Sequence, residues 1–143
     1  MSDWLHAVGR ALHPLVAPPD QPAWNHASLA ELLGEVPRAD AAVLVAIRDA
    51  PRPGVVFTLR RDDLVHHAGQ VSFPGGRTDA EDADAVATAL RESREEIALD
   101  TRAVEPLGYL DRLETTSGFS VTPVVARLAA DAVLSPQPDE VAR

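Results

Sequence analysis

Three glutamates near the middle of this 143-residue sequence, Glu92, Glu95 and Glu96, have the spacing and the chemistry of a metal site. On a helix, residues three and four positions apart lie on one side of the same turn, so these carboxylates would be neighbours. Like charges at such spacings destabilise a helix by about 0.2–0.5 kcal/mol per pair. Mg²⁺ prefers oxygen ligands, and one or two carboxylates plus bound phosphates complete its coordination. The cluster therefore indicates a site for a hard divalent cation.

The same cluster has a second interpretation, a solvent-exposed helix face. Arg91 precedes Glu95 by four residues, and an Arg–Glu pair at that spacing stabilises a helix. The metal interpretation is favoured by the position of the cluster near a helix C-terminus, where the helix dipole disfavours anions. Locally unfavourable features of this kind are expected at functional sites.

A helix over residues 84–97 is predicted to carry the glutamates. This range has no Gly or Pro and is rich in Ala, Leu, Glu and Arg, which favour helix. Asp82 or Asp84 is placed to cap its first turn. The positions predicted to face the core follow the helical period, and they are Val86, Leu90, Ser93 and Ile97. Just upstream, Gly75 and Gly76 are interpreted as a Gly-Gly turn.

The stretch from Phe73 to Leu99 resembles the signature of the Nudix hydrolases, in which a Gly precedes a Glu and then Arg-Glu-aliphatic-X-Glu-Glu-X-Gly-aliphatic. Gly76 opens the match and residues 91–99 close it. This sequence departs from the signature at a few positions. Asp82 replaces the first Glu, Ser93 an aliphatic and Ala98 the late Gly, and the spacer before Arg91 is one residue longer. The FPGG start and TALRE are similar to the coenzyme A pyrophosphatase branch of the family.

Two further segments are similar to that branch. Upstream, residues 56–61 and 66–76 match its second motif at Thr58, Arg60, Gly69 and FPGG, although Val65 stands in the place of a second Arg. Downstream, residues 116–125 match as well. Three matching segments in the same order identify the chain as a Nudix member.

The resemblance implies a function and roles for individual residues. The expected activity is metal-dependent hydrolysis of the diphosphate of coenzyme A or acyl-CoA, giving phosphopantetheine and adenosine 3′,5′-bisphosphate. Mg²⁺ or Mn²⁺ would be held by the three glutamates and the carbonyl of Gly76, and Arg91 would orient the glutamates. The residues expected to bind substrate are Arg60, Arg77 and Gly75. One of the glutamates, or Glu114 in a later loop, would accept the proton.

Two alternative functions remain open at this point. One is hydrolysis of another nucleoside diphosphate derivative, such as ADP-ribose or an oxidised nucleotide. The other is a non-catalytic nucleotide-sensing module. An intact set of three glutamates argues against a sensor. His66 and His67 are interpreted as loop residues, because adjacent side chains of an extended chain point to opposite sides.

The predicted fold is an α/β sandwich of the Nudix α/β/α type with a mixed sheet. Residues 1–38 form a helical and linker segment packing on the core, with helices in ranges 3–16 and 28–33, the second capped by Ser28. Residues 39–143 form the Nudix domain, with its C-terminal helix either absent or beyond the end of this sequence. Strands are predicted at 41–47, 55–60, 70–73, 104–113 and 119–128. The first two would pair like a hairpin, Gly108 would form a bulge, and Pro123 would lie near a sheet edge or bulge.

Composition limits the partners. The formal net charge is −9, which argues against a non-specific binder of nucleic acid or of anionic membranes. An anionic nucleotide substrate must therefore be met by local Arg side chains and metal. No apolar run is long enough to span a membrane and no signal peptide is recognisable, so we expect a cytoplasmic protein. A homodimer is compatible with the sequence. The sequence contains no Cys, which excludes disulfides.

Overall fold

A computed structural model of the chain describes residues 2–34, 37–59 and 69–136, and these form a mixed α/β fold. The helices are α1 (Asp3–Arg10), α2 (His26–Leu33), α3 (Ala85–Ile97) and a 3-10 turn (Thr101–Ala103). The strands are β1 (Ala39–Arg48), β2 (Thr58–Leu59), β3 (Val71–Ser72), β4 (Gly75–Arg77), β5 (Val104–Tyr109), β6 (Leu113–Glu114) and β7 (Phe119–Leu128). No helix of the described residues is long and apolar enough to cross a bilayer.

The main sheet has the order β4-β1-β7-β5, with β6 also pairing with β7. Strands β1 and β7 are parallel neighbours along their whole length, and the other pairings are antiparallel. Strands β2 and β3 form a separate two-stranded sheet. The predicted α/β fold with a mixed sheet is confirmed.

The core lies between the central strands and α3. Because side chains alternate across a strand, one face of β1 and β7 is directed at the helix. The buried residues of this face are Ala42, Leu44, Ala46, Val124, Ala126 and Leu128, and they pack with Ala89 and Ile97 of α3. The helix is thereby fixed against β1, β4 and β7, and its position determines where the glutamates lie.

Helix α3 begins and packs largely as the sequence predicts. The Asp84 carboxylate caps it by accepting a hydrogen bond from the Ala87 backbone at 2.8 Å. Ser93 is buried, and its hydroxyl donates to the carbonyl of Ala89 at 2.7 Å. This bond explains how a polar residue occupies a core position of the helix.

The end of α3 contains an unusual backbone conformation at Ala98. This residue has φ 54° and ψ 34°, in the left-handed region that favours Gly. Its backbone N–H donates to the carbonyls of Arg94 and Ser93, which closes the last turn. The late Gly of the Nudix signature falls at this position, so the replacement leaves strain in the helix terminus.

We expect Ala98→Gly to stabilise the protein by about 0.5–1 kcal/mol. The free energy gained by removing the left-handed strain exceeds the free energy lost because Gly gives the unfolded chain more conformational entropy. Urea denaturation measures the difference. The matched control is Ala87→Gly in the first turn of the same helix, which should destabilise by about 0.5–1 kcal/mol. Equal destabilisation by both variants would contradict the interpretation.

The predicted Gly-Gly turn is wrong, because Gly75 and Gly76 lie in strand β4 beside Val43 and Ala42. A Cβ built on Gly75 would lie 2.3 Å from the carbonyl oxygen of Ala42 and 2.7 Å from Cα of Val43. Gly75 is therefore required for close approach of two backbones rather than for a turn.

Two strand predictions also need correction. The hairpin-like pairing of residues 55–60 with β1 is reduced to a bridge between Ile47 and Val55, and β2 pairs with β3 instead. Pro123 lies in the central strand β7, not at an edge. Its carbonyl accepts a hydrogen bond from the Leu110 N–H at 3.1 Å, just past the end of β5, and Pro123 has no N–H with which to return a second bond. The bulge predicted at Gly108 is confirmed by a register shift between Pro106 and Gly108.

The N-terminal segment contacts the sheet at β5. Helix α1 ends at Arg10, before Pro14, and His13 forms an antiparallel bridge with Tyr109 through backbone bonds of 2.9 and 3.0 Å. Helix α2 has Asn25 at its N-cap, so the predicted cap at Ser28 is wrong.

Candidate functional site

Two of the predicted metal ligands, Glu92 and Gly76, lie next to each other. A Cβ built on Gly76 would lie 2.6 Å from the carboxylate carbon of Glu92 and 2.8 Å from both carboxylate oxygens. The carboxylate of α3 thus rests directly on the backbone of β4, in space that only Gly leaves open. This contact places a carboxylate of α3 beside the backbone of β4.

The other two glutamates of the cluster differ in their surroundings. Glu96 is buried, with 5% of the residue exposed, one helical turn after Glu92. Glu95 has a side chain that is 55% exposed, with one oxygen 3.5 Å from Nη1 of Arg91. In the described part of the chain, no three or more His, Asp or Glu side chains already form a group that could hold a metal ion. The donors that do lie near Gly76 are hard oxygen atoms, which fit Mg²⁺ or Mn²⁺.

Arg91 connects the helix to the loop before it. Its Nε and Nη2 donate to the two oxygens of Asp82 at 3.1 and 3.0 Å, and Nη2 also donates to the carbonyl of Arg77 at 3.0 Å. Nη1 donates to Glu92 at 3.0 Å. A planar guanidinium suits such simultaneous contacts. Arg91 therefore joins β4, the acidic loop and Glu92, and sets their relative positions.

Asp82 is a second fixed point of the loop. Its side chain is 7% exposed and also accepts hydrogen bonds from the Asp79 backbone and the Thr88 hydroxyl, each at 2.9 Å. Hydrogen bonds from Arg91, and then from the Asp79 backbone, hold the pKa of Asp82 well below its usual range. Asp82, which replaces the Glu of the Nudix signature, thus fixes the loop as an ionised carboxylate.

The lowered pKa predicts a pH-dependent contribution of Asp82 to stability. A carboxylate with a lowered folded-state pKa stabilises the protein above its unfolded pKa of about 3.9, and this contribution is lost as the pH falls through the folded value. We expect Asp82→Asn to be less stable than wild type at pH 7, with a smaller difference at about pH 3. Urea denaturation at the two pH values measures both. Asp131→Asn, at an exposed position, is the control, and an Asp82→Asn difference that is independent of pH would contradict the prediction.

A cavity of about 720 Å³ lies on the sheet face opposite α3. Strand β4 contributes Gly75, Gly76 and Arg77 to its wall, and Phe73 and Phe119 add aromatic surface. Gly76 therefore contacts Glu92 on one side and the cavity on the other. Residues 115–117 of the loop between β6 and β7 complete part of the wall.

The predicted site residues are distributed unevenly around this cavity. Gly75 and Arg77, both predicted to bind substrate, line it, and Arg77 is the charged residue among its described lining residues. Glu92 reaches it only through Gly76. Arg60, together with Val65, His66 and His67, lies outside the described residues.

The surroundings of Glu114 do not suit a proton acceptor, because its carboxylate is paired with two basic side chains. Its carboxylate oxygens lie 2.6 Å from Nδ1 of His26 and 2.9 Å from Nε of Arg38. The hydrogen bond from His26, followed by the charges of His26 and Arg38, holds the pKa of Glu114 below its usual value. A general base needs a pKa nearer the working pH, so these contacts argue against that role. This cluster could not be predicted from the sequence, because Glu114 bonds to Asn25 and His26, which are 89 and 88 positions away along the chain.

Comparison with known proteins gives consistent matches. Residues 37–142 match the NUDIX domain. The uncharacterised Nudix hydrolase NudL of Pectobacterium atrosepticum is 50% identical over 102 residues, and that of Escherichia coli K12 is 46% identical over 101 residues. Both alignments cover 71% of this chain and 53% of the relative, so the chain spans about half the length of these curated relatives.

A solved structure shows the same fold. The C. elegans Ap4A hydrolase, crystallised as a binary complex, superposes with a TM-score of 0.61 at 20% identity, covering 72% of this chain and 75% of that one. At this identity the similarity concerns the fold alone.

Proposed function

The chain belongs to the Nudix family, and we propose that it is a metal-dependent pyrophosphohydrolase of a nucleoside diphosphate derivative. The observation that carries the proposal is the contact of the Glu92 carboxylate with Gly76, which also lines the cavity. A diphosphate at the β4 edge of the cavity would lie beside hard oxygen donors on the side of α3.

In this proposal Mg²⁺ or Mn²⁺ would be held by Glu92, Glu95 and Glu96 with the carbonyl of Gly76. When bound, the cation supplies charge that polarises the diphosphate and activates water for attack. The chain's own residues position the carboxylates. Arg91 orients Glu92 and holds the acidic loop against β4. One of the glutamates accepts the proton of the attacking water.

Arg77 is proposed to contact a phosphate of the substrate. Its side chain is exposed at the cavity wall. The net charge of −9 gives the protein a field that repels an anionic substrate, so local cations must compensate for it. Gly75 also lines the cavity and is proposed as a further substrate-binding residue. Arg60 is proposed for a similar phosphate contact on the basis of its motif.

The proposed substrate is coenzyme A or an acyl-CoA, cleaved to phosphopantetheine and adenosine 3′,5′-bisphosphate. This choice is supported by the FPGG start, by the upstream and downstream motifs and by a cavity large enough for a drug-sized organic group. The experiment is turnover of coenzyme A, ADP-ribose and 8-oxo-dGTP with and without Mg²⁺. Preferred turnover of coenzyme A supports the proposal. Preference for another nucleotide would overturn the substrate, and metal binding without any product would favour a sensing module.

A further inference from the structure

The N-terminal segment reaches strand β6 through Asn25. The side-chain amide of Asn25 donates to the carbonyl of Glu114 at 2.8 Å, and its oxygen accepts from the Glu114 backbone N–H at 2.7 Å. Next to it, the Trp24 N–H donates to the carbonyl of Arg112 at 3.1 Å. These bonds satisfy backbone groups at the outer edge of β6, as a neighbouring strand would do.

Arg38 and Glu114 form a shielded ion pair next to the loop of residues 115–117, which lines the cavity. The side chain of Arg38 is 7% exposed and that of Glu114 is 10% exposed. Besides its contact with Glu114, Arg38 donates from Nη1 to the backbone carbonyl of Thr115. One guanidinium thus holds a side chain of β6 and the backbone of the next residue. A shielded pair of this kind is weak evidence for added stability, so its geometry is the feature of interest here.

The residues held by Arg38 lead directly into the cavity wall. Thr115, Thr116 and Ser117 all line the cavity. The loop closes on itself, because the Thr115 N–H donates to the Phe119 carbonyl at 2.9 Å and the Gly118 N–H donates to the Thr115 carbonyl at 3.2 Å. Since both bonds involve Thr115, fixing this residue fixes the whole loop.

We propose that Arg38 and Glu114 are positioning residues that hold the Thr115–Ser117 wall and thereby set the affinity for the organic group of the substrate. The proposal rests on the proposed function, because it takes the cavity as the place where that group binds. Neither side chain is among the cavity lining, so their effect passes through the loop backbone. A wall that contacts the substrate equally before and during reaction changes KM and leaves kcat unchanged.

The test is Arg38→Ala, studied by hydrogen–deuterium exchange and by steady-state kinetics with coenzyme A and Mg²⁺. We expect faster exchange in residues 115–119 and a KM raised by about tenfold, with kcat within about twofold of wild type. Arg38→Lys keeps the charge but cannot make both contacts at once, so it should show the same changes to a smaller extent. It also serves if Arg38→Ala does not fold.

The matched control is Arg102→Ala, which breaks an exposed Arg–carboxylate pair with Asp100 of 3.0 Å, with neither residue lining the cavity. Its KM and loop exchange should equal those of wild type. Unchanged loop exchange in the Arg38 variants, or faster exchange with an unchanged KM, would overturn the proposal. Exchange is measured without substrate, so it tests the loop contact separately. A wild-type protein that turns over no nucleotide would refute the proposed function instead.

Discussion

Replacing Glu92 and Glu96 together by Gln is expected to lower metal-dependent turnover by about 10³-fold or more. In the proposed mechanism a bound cation would stabilise the transition state by several kcal/mol, and each 1.4 kcal/mol is a factor of ten in rate. Gln keeps the shape of Glu, so the contact of residue 92 with Gly76 and the buried position of residue 96 should be retained. Turnover at saturating Mg²⁺ and the circular dichroism spectrum measure the two effects.

Single variants give a graded control for this result. Glu92→Gln should lose more activity than Glu95→Gln, because Glu92 lies on Gly76 whereas the Glu95 side chain is half exposed and extends toward Arg91. Glu105→Gln, on the exposed side of β5, should retain wild-type turnover. Full activity of the double variant would refute the metal site.

Gly75→Ala is expected to lower mainly the stability of the protein, whereas Gly76→Ala is expected to lower mainly its turnover. At Gly75 the new Cβ meets backbone, the Ala42 carbonyl oxygen at 2.3 Å, so β4 must move away from β1. Overpacking of this kind costs about 3 kcal/mol, which we expect as a loss of unfolding free energy. At Gly76 the three atoms nearest to the Cβ all belong to the Glu92 carboxylate, which can rotate away. Gly76→Ala should therefore stay within about 1 kcal/mol of wild type in stability and lose about 10²-fold in turnover.

Urea denaturation and kinetics on both variants separate these effects. Gly54→Ala is the matched control, since no atom lies within 4 Å of a Cβ at that position, and it should change neither quantity. A Gly76→Ala protein with full turnover would show that contact between Glu92 and β4 is not needed for activity.

The parts of the structure that depend on local sequence were predictable. Helix α3 follows from its composition, its Asp84 cap and its apolar period, and these also place Glu92 and Glu96 one turn apart. Strand β1 follows from a nearly continuous apolar run at 41–47, which is typical of strands covered on both faces, and the strand predicted at 119–128 coincides with β7. The strain at Ala98 could be anticipated because the Nudix signature has Gly there.

The features that depend on non-local contacts were not predictable. The sequence pattern predicts a turn at Gly75 and Gly76, because it does not show that β4 lies against β1. It predicts an edge or a bulge at Pro123, because it does not show that β5 ends opposite this residue. The Asn25 side chain bonds to Glu114, 89 positions away, and the Arg38 side chain bonds to Thr115, 77 positions away.

The most direct measurement of the metal site is paramagnetic broadening of backbone amide resonances by substoichiometric Mn²⁺. If the cation binds between α3 and β4, the amides of residues 75–77 and 92–96 should broaden first, and Glu92→Gln should weaken this effect. Broadening that is confined to other acidic positions, such as Asp131, or that is unchanged in Glu92→Gln, would contradict the account.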